Sequence, residues 1–353
     1  MRRSQNAATR PGPARTWLPL IALAAGLLAS AAATAQPATD DAPAFSFPVD
    51  CTYGEDCFIQ NYVDMRAGDG YADHRCGHLS YDGHNGTDIR VRNLAAMRAG
   101  MPVTAAAPGV VRATRDGMPD AIVANVDPEV IEGREAGNAV AIRHGGGWET
   151  QYSHLKRGSV TVHQGERVAR GQKLGEIGLS GRTEFPHVEF TIRRNGRSLD
   201  PFTGRAADGG CGAAGDPLWS QAAAGALSYL TGVALDAGFA AQRPSGQRAR
   251  DGAYNAERLP VGAKLLAFWV NVMGPKSGDV QRFLVRGPDG DRILGHQQTL
   301  RDAKARRFTF VGRRRPDGGW AEGCYQGQFA LVRDGEVISQ ITRQVGIGAD
   351  CPG

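Results

Sequence analysis

Aromatic residues are scarce, at 7% of 353 residues, and no two of the six cysteines stand in C-x-x-C spacing. The second absence removes support for a thioredoxin-like redox site or a four-cysteine zinc knuckle. The 48 glycines follow no G-x-y period, so they serve turns and bulges rather than a collagen rod. Ser180 lies in Gly178-Leu179-Ser180-Gly181 and not in a G-x-S-x-G elbow, which leaves a serine hydrolase of that type unsupported. A basic surplus is also missing once the charges are located. The chain carries +5 overall, but four of its 41 basic residues and none of its 36 acidic ones fall in residues 1–35, leaving the remainder at about +1. Only Arg313, Arg314 and Arg315 form a tight run, in a turn-like setting, so a nucleic-acid partner is not expected.

What is present divides along the chain. Arg2, Arg3, Arg10 and Arg15 precede an apolar stretch from Leu18 to Ala33, which is short for a full membrane span and ends in Ala33-Thr34-Ala35. Residues 1–35 are therefore expected to be a cleaved export signal, with no membrane span in the mature protein. All six cysteines lie beyond it, and an even count in an oxidising compartment favours disulfides. Of the fifteen connectivities open to six cysteines, the one partial expectation is Cys324 with Cys351, tying the tail to the last sheet. Cys51, Cys57, Cys76 and Cys211 would then staple the loops around 51–80 and 205–215.

Residues 36–50 read as a linker and 51–82 as a disulfide-held, loop-rich lead-in. From 83 to 202, β-like segments (87–91, 109–113, 139–143, 149–154, 158–162, 175–178 and 188–192) are punctuated by glycine at intervals of an all-β sandwich or barrel. Residues 117–137, with Pro128, interrupt the pattern as an inserted loop. Residues 203–230 mark a boundary with a short helix. Residues 231–353 form a second β region, with strands at 264–272, 280–286, 307–311, 328–333 and 337–343, and fit a smaller β-sandwich whose only histidine is His296. The fold class is all-β.

Three clusters in the first β region carry chemistry: Gly83-His84-Asn85-Gly86-Thr87-Asp88, Tyr152-Ser153-His154-Leu155 and Phe185-Pro186-His187-Val188-Glu189-Phe190. Strand alternation sets His187 and Glu189 on one face with Val188 and Phe190 inward, and places Tyr152 with His154. A hydrolytic zinc site needs about three protein ligands and an open position. His84, Asp88 and Glu189 are the candidate ligands, and His154 and His187 the candidates for proton transfer and oxyanion support. Asn85 and Thr87 are expected to brace them. His144 reads as structural, His74 and His78 as members of a disulfide-held loop, and His163 as surface.

These segments, with MPVTAAAPGVV (101–111), GNAVAIRHGGGWETQYSHL (137–155) and LDPF (199–202), resemble the M23 family, the lysostaphin/LytM-type zinc metallopeptidases that cut peptide bonds in bacterial peptidoglycan. The resemblance spans nearly all of 83–202. It implies a compact, glycine-rich antiparallel β domain, zinc (Zn2+) on the H-x-x-x-D pair His84 and Asp88, and catalytic roles for His154 and His187. Its substrate would be peptidoglycan peptide stems or cross-links, in the bacterial periplasm or cell envelope.

One position departs from the pattern. The second histidine of the family's terminal H-x-H, a zinc ligand there, is Glu189 here. A glutamate can ligate zinc through oxygen, which keeps a three-ligand site at the expense of Lewis acidity. The other reading is a degenerate, non-catalytic wall-binding module, or a partner and regulator of a cell-wall amidase.

Overall fold

A computed structural model describes residues 42–352 and Gly12. The expected export signal, residues 1–35, lies outside the described residues apart from Gly12. No described helix is long and apolar enough to cross a membrane.

The fold is all-β. Ten strands precede residue 200: β1 (Cys57–Asn61), β2 (Thr87–Val91), β3 (Pro102–Thr104), β4 (Gly109–Arg115), β5 (Asn138–Gly145), β6 (Trp148–Leu155), β7 (Arg167–Val168), β8 (Lys173–Glu176), β9 (His187–Arg194) and β10 (Arg197–Leu199). Seven of them form one antiparallel sheet in the order β1-β2-β9-β6-β5-β4-β7, with β10 on β9, while β3 and β8 pair separately. The sheet buries Ile89, Val188, Phe190 and Ile192 against a core that includes Phe45 and Trp219. Phe190 stacks on Trp219 with ring centroids 5.7 Å apart. That core fixes which face of β9 is left for polar residues.

Eight further strands follow: β11 (Val233–Ala240), β12 (Arg258–Leu259), β13 (Leu265–Met273), β14 (Val280–Arg286), β15 (Arg292–Thr299), β16 (Arg306–Arg314), β17 (Gly323–Arg333) and β18 (Glu336–Ile347). The three-stranded sheet β11-β13-β16 packs on the five-stranded sheet β12-β18-β17-β14-β15. Phe239, Phe268 and Val270 on one side meet Phe283, Phe329 and Leu331 on the other. This is the smaller β-sandwich expected from the sequence.

Several local expectations change. Residues 158–162 form no strand; Thr161 bonds Leu174 O through its N–H at 3.0 Å and Lys173 O through its hydroxyl at 2.9 Å, and these bonds with the burial of Val162, rather than a ladder, hold the segment. The described part of the expected linker, 42–50, is packed in: Phe45 is fully buried, its N–H donates to Leu218 O, and Ser46 N–H to Ala106 O, both at 2.8 Å. β11 and β15 had no strand signal. β11 carries Asp236 and Gly238, and a Cβ on Gly238 would lie 2.9 Å from the Trp269 ring, so the glycine makes room for a core indole. β15 is a largely polar edge strand paired only to β14.

Three disulfides close the structure: Cys51–Cys57, Cys76–Cys211 and Cys324–Cys351. The last is the expected pair. Cys76–Cys211 spans 135 residues and Cys324–Cys351 spans 27. By loop-closure entropy, replacing Cys76 and Cys211 with serine is expected to lower unfolding free energy by about 5 kcal/mol, more than the same change at Cys324 and Cys351. Urea denaturation of the two double variants checks the order.

Candidate metal centre

The site is built where β2 and β9 pair. Asp88 stands directly opposite Glu189 in the ladder, Thr87 opposite Phe190 and Arg90 opposite His187. Inward packing of Val188 and Phe190 therefore turns His187 and Glu189 to the other face, as alternation predicts. A Cβ on Gly86 would lie 2.6 Å from Glu189 Cγ and 2.8 Å from its Oε1, so only glycine leaves that carboxylate its place.

His154 reaches the cluster by a different route from the one expected. Tyr152 pairs with Phe190 and faces the core, where its hydroxyl accepts from Ala106 N–H at 2.8 Å. Simple alternation would send His154 the same way. Instead the β5–β6 register slips between Asn138 and Val140, and His154 adopts φ 63°. This bulge with a left-handed residue re-aims the imidazole onto the face of Glu189. Tyr152 and His154 thus lie on opposite faces.

The five predicted residues converge. His84 Nε2 lies 3.3 Å from Asp88 Oδ1, and His84 Nδ1 3.8 Å from Glu189 Oε1. His154 Nε2 is 3.6 Å from Glu189 Oε2, and His187 Nε2 is 3.4 Å from Asp88 Oδ1. A carbonyl oxygen can only accept, so His154 Nδ1–H donates to Ser180 O at 2.7 Å and His187 Nδ1–H to Phe185 O at 2.8 Å. Both rings therefore present Nε2 to the cluster. His84, Asp88, His154 and His187 are buried, and the Glu189 side chain is 17% exposed.

Burial opposes charge on Asp88, Glu189, His84 and His154, and their attraction to neighbouring groups outweighs it. Burial raises the Asp88 carboxyl, but His84 and His187 bring it well below its ordinary range. Burial likewise raises Glu189, and His154 then holds it low. For His84 and His154, burial lowers the imidazole, and the neighbouring Asp88 and Glu189 lift it above its ordinary value.

The donor set fits a divalent cation. His84 Nε2 and Asp88 Oδ1 are buried without a hydrogen-bond partner. One ligand atom from each of His84, Asp88 and Glu189 lies within 4.8 Å of the others. Ligands at 2.0–2.1 Å from a tetrahedral zinc are about 3.3 Å apart, the separation of the His84 and Asp88 atoms.

Bracing comes from a residue that carries no motif or pattern signal. Asn61 on β1 stands opposite Asp88, and its Nδ2 donates to Asp88 Oδ2 at 2.8 Å. Asn85 is exposed, and Thr87 Oγ1 is buried without a partner, so neither braces the cluster as expected. His144 bonds Pro108 O at 2.7 Å and Thr150 Oγ1 at 2.8 Å, which makes it structural. His74 stacks on Phe202 at 4.7 Å, and His163 pairs with Glu166 at the surface. A cleft of about 550 Å³ opens over the cluster, and its lining includes Tyr81, Arg182, Phe185 and, from the sandwich, Arg306.

An antiparallel β domain thus brings together a His/Asp/Glu donor set and two flanking imidazoles. Residues 82–201 match the sequence model of Peptidase family M23. The chain is 35% identical over 117 residues to the peptidoglycan DD-endopeptidase ShyA of Vibrio cholerae, covering 33% of this chain and 22% of that protein. It is 33% identical over 122 residues to the DD-carboxypeptidase/endopeptidase Mpg of Neisseria meningitidis, covering 34% and 22%. The chain thus spans about a fifth of the length of the curated relatives it matches. Among solved structures, a zinc-containing peptidase from Vibrio cholerae aligns at 29% identity and TM-score 0.26, over 41% of this chain and 39% of that one.

Asn61→Ala leaves a buried carboxylate oxygen without its donor. The expected loss is about 2 kcal/mol of unfolding free energy, the usual range for a bond to a charged group. Urea denaturation in the presence of a chelator measures it without contribution from a metal.

Proposed function

We propose that this chain is an exported metal-dependent endopeptidase that hydrolyses peptide bonds in bacterial peptidoglycan, with Zn2+ held by His84, Asp88 and Glu189. The observation that carries the reading is the buried, unpartnered pair His84 Nε2 and Asp88 Oδ1 beside the Glu189 carboxylate. Two carboxylates and an imidazole form a donor set of the right atoms, spacing and sign for a divalent ion. The M23 match over 82–201, and similarity to relatives named as peptidoglycan DD-endopeptidases, support the substrate class. Three disulfides agree with an oxidising envelope compartment such as the periplasm.

When bound, the ion supplies Lewis acidity and lowers the pKa of a coordinated water. The protein supplies the rest. His154, with Nδ1 committed to Ser180, takes the water's proton at Nε2. His187, with Nδ1 committed to Phe185, presents its Nε2 to the oxygen on which negative charge develops. Tyr81 and Phe185 border the floor of the cleft and shield it from bulk water. Glu189 adds a negative charge where the family pattern has a neutral imidazole. It therefore weakens the Lewis acidity of zinc and admits harder divalent ions.

The purified full chain is expected to hold one equivalent of zinc and to release peptides from cross-linked muropeptides. Glu189→Ala is expected to weaken zinc binding beyond the tenfold to about hundredfold contributed by outer partners, and Glu189→His to restore it. His154→Ala is expected to keep the metal and lose about a thousandfold in turnover. Elemental analysis beside chromatography of muropeptide products reads both. No stoichiometric divalent ion together with no cleavage under any divalent metal contradicts the proposal and favours a binding module.

A further inference from the structure

One wall of the cleft comes from the C-terminal sandwich. Ala305 and Arg306 line it together with Arg182, Thr183, Glu184 and Phe185. Arg306 opens β16 opposite Met273 of β13, so its backbone is fixed by the three-stranded sheet while its side chain crosses to the loop before β9. There Nη2 donates to Glu184 Oε2 at 2.7 Å, and the guanidinium lies 6.0 Å from the centre of the Phe185 ring. Phe185 in turn stacks on His187 at 4.4 Å. Arg306 Nη1 is buried and has no hydrogen-bond partner. Arg182 is exposed on the same cleft and forms no ion pair among the described residues.

The charge at this lip and behind Phe185 is predominantly positive. Arg90 places its guanidinium 4.9 Å from the same Phe185 ring. Burial, then repulsion from Arg306, brings the Arg90 guanidinium down to about 9, and Arg250 is lowered by burial and the same neighbour. Against these cations stand Glu184, bonded to Arg306, and Asp236. The floor of the cleft carries the opposite sign through Asp88, which stands opposite Glu189 in the ladder. The site is acidic below and basic at the lip.

We propose that Arg306, with Arg182, forms a carboxylate-binding subsite that selects peptides with a free carboxylate a residue or two from the bond held over His187. The proposal rests on the hydrolase reading above and deepens it. A guanidinium grips a carboxylate through two parallel N–H···O bonds, and Arg306 already has one buried donor with nothing to bond. An extended peptide advances about 3.3 Å per residue, so a chain crossing the Phe185 ring from His187 reaches Arg306 within a few residues. The sandwich thereby acquires a role in substrate choice, and Glu184, with a side chain 56% exposed, acts as the internal anion that a substrate carboxylate displaces.

The test uses the full chain in EDTA, so that no metal takes up the carboxylate. The probes are N-acetylated Ala-Gly-Gly-Ala with a free C-terminus and its C-terminal amide, measured by titration calorimetry. The free acid is expected to bind about tenfold more tightly. Arg306→Gln is expected to bring the acid-to-amide ratio close to one, and Arg306→Lys to restore part of it. Glu184→Gln, which frees Nη2, is expected to raise the ratio, and it keeps the test decisive if Arg306→Gln fails to fold. Equal binding of acid and amide by the unaltered chain, or a preference that survives Arg306→Gln in a folded protein, or no rise with Glu184→Gln, overturns the proposal. Cleavage of the two peptides by zinc-loaded protein is scored separately. A carboxylate preference without cleavage counts against the hydrolase reading alone, and cleavage without a preference counts against this subsite alone.

Discussion

Asp88 and Glu189 face each other directly across the β2–β9 ladder. Like charges at opposed positions of a sheet destabilise it, and burial makes the repulsion worse. The hydrophobic face of the sheet nevertheless enforces the pairing, because slipping β9 by one residue would turn Val188 and Phe190 out of the core. Cations must therefore collect around the pair. His84 approaches both carboxylates, His187 approaches Asp88 and His154 approaches Glu189, all at between 3.3 and 3.8 Å. Three imidazoles still leave His84 Nε2 and Asp88 Oδ1 without a hydrogen bond, which is the opening that the proposed metal fills. The fold pins two anions together, and the chemistry follows from what must neutralise them.

The elements around this pair are arranged to hold it. β1 contributes Asn61 as a donor to Asp88, and Gly86 leaves the volume that Glu189 occupies. The bulge at His154 accepts an unfavourable backbone conformation to point an imidazole at the pair, which is the kind of strain that a well-packed sheet sustains at a reactive site. The C-terminal sandwich adds a wall of opposite charge through Arg306, so two β units built from separate cores meet at a cleft that is acidic at its floor and basic at its lip.

Much of this was legible in the sequence, and the remainder was not for identifiable reasons. The alternation of His187-Val188-Glu189-Phe190 gives the face of β9 correctly, because two large apolar residues two apart can only point into a core. Alternation fails at His154, since a bulge leaves no mark in the side-chain pattern when both Tyr152 and His154 are suited to burial. Asn61 is one amide in a loop-rich lead-in, and its value comes only from standing opposite Asp88. Arg306 is one of many arginines in a region with no reactive motif, and nothing local connects it to Phe185. β11 was hidden by Gly238, which reads as a strand breaker and is in fact the gap that admits Trp269. Residues 42–50 look like a linker by composition, yet the single aromatic Phe45 anchors them in the core.

The central claim is that the opposed carboxylates, with His84, form a cation site. Anomalous diffraction at the zinc edge, from crystals of the full chain grown with zinc, tests it most directly. The account predicts a single strong peak bounded by His84 Nε2, Asp88 Oδ1 and the Glu189 carboxylate. A well-ordered cluster with Asp88 and Glu189 still apposed and no peak between them would contradict it.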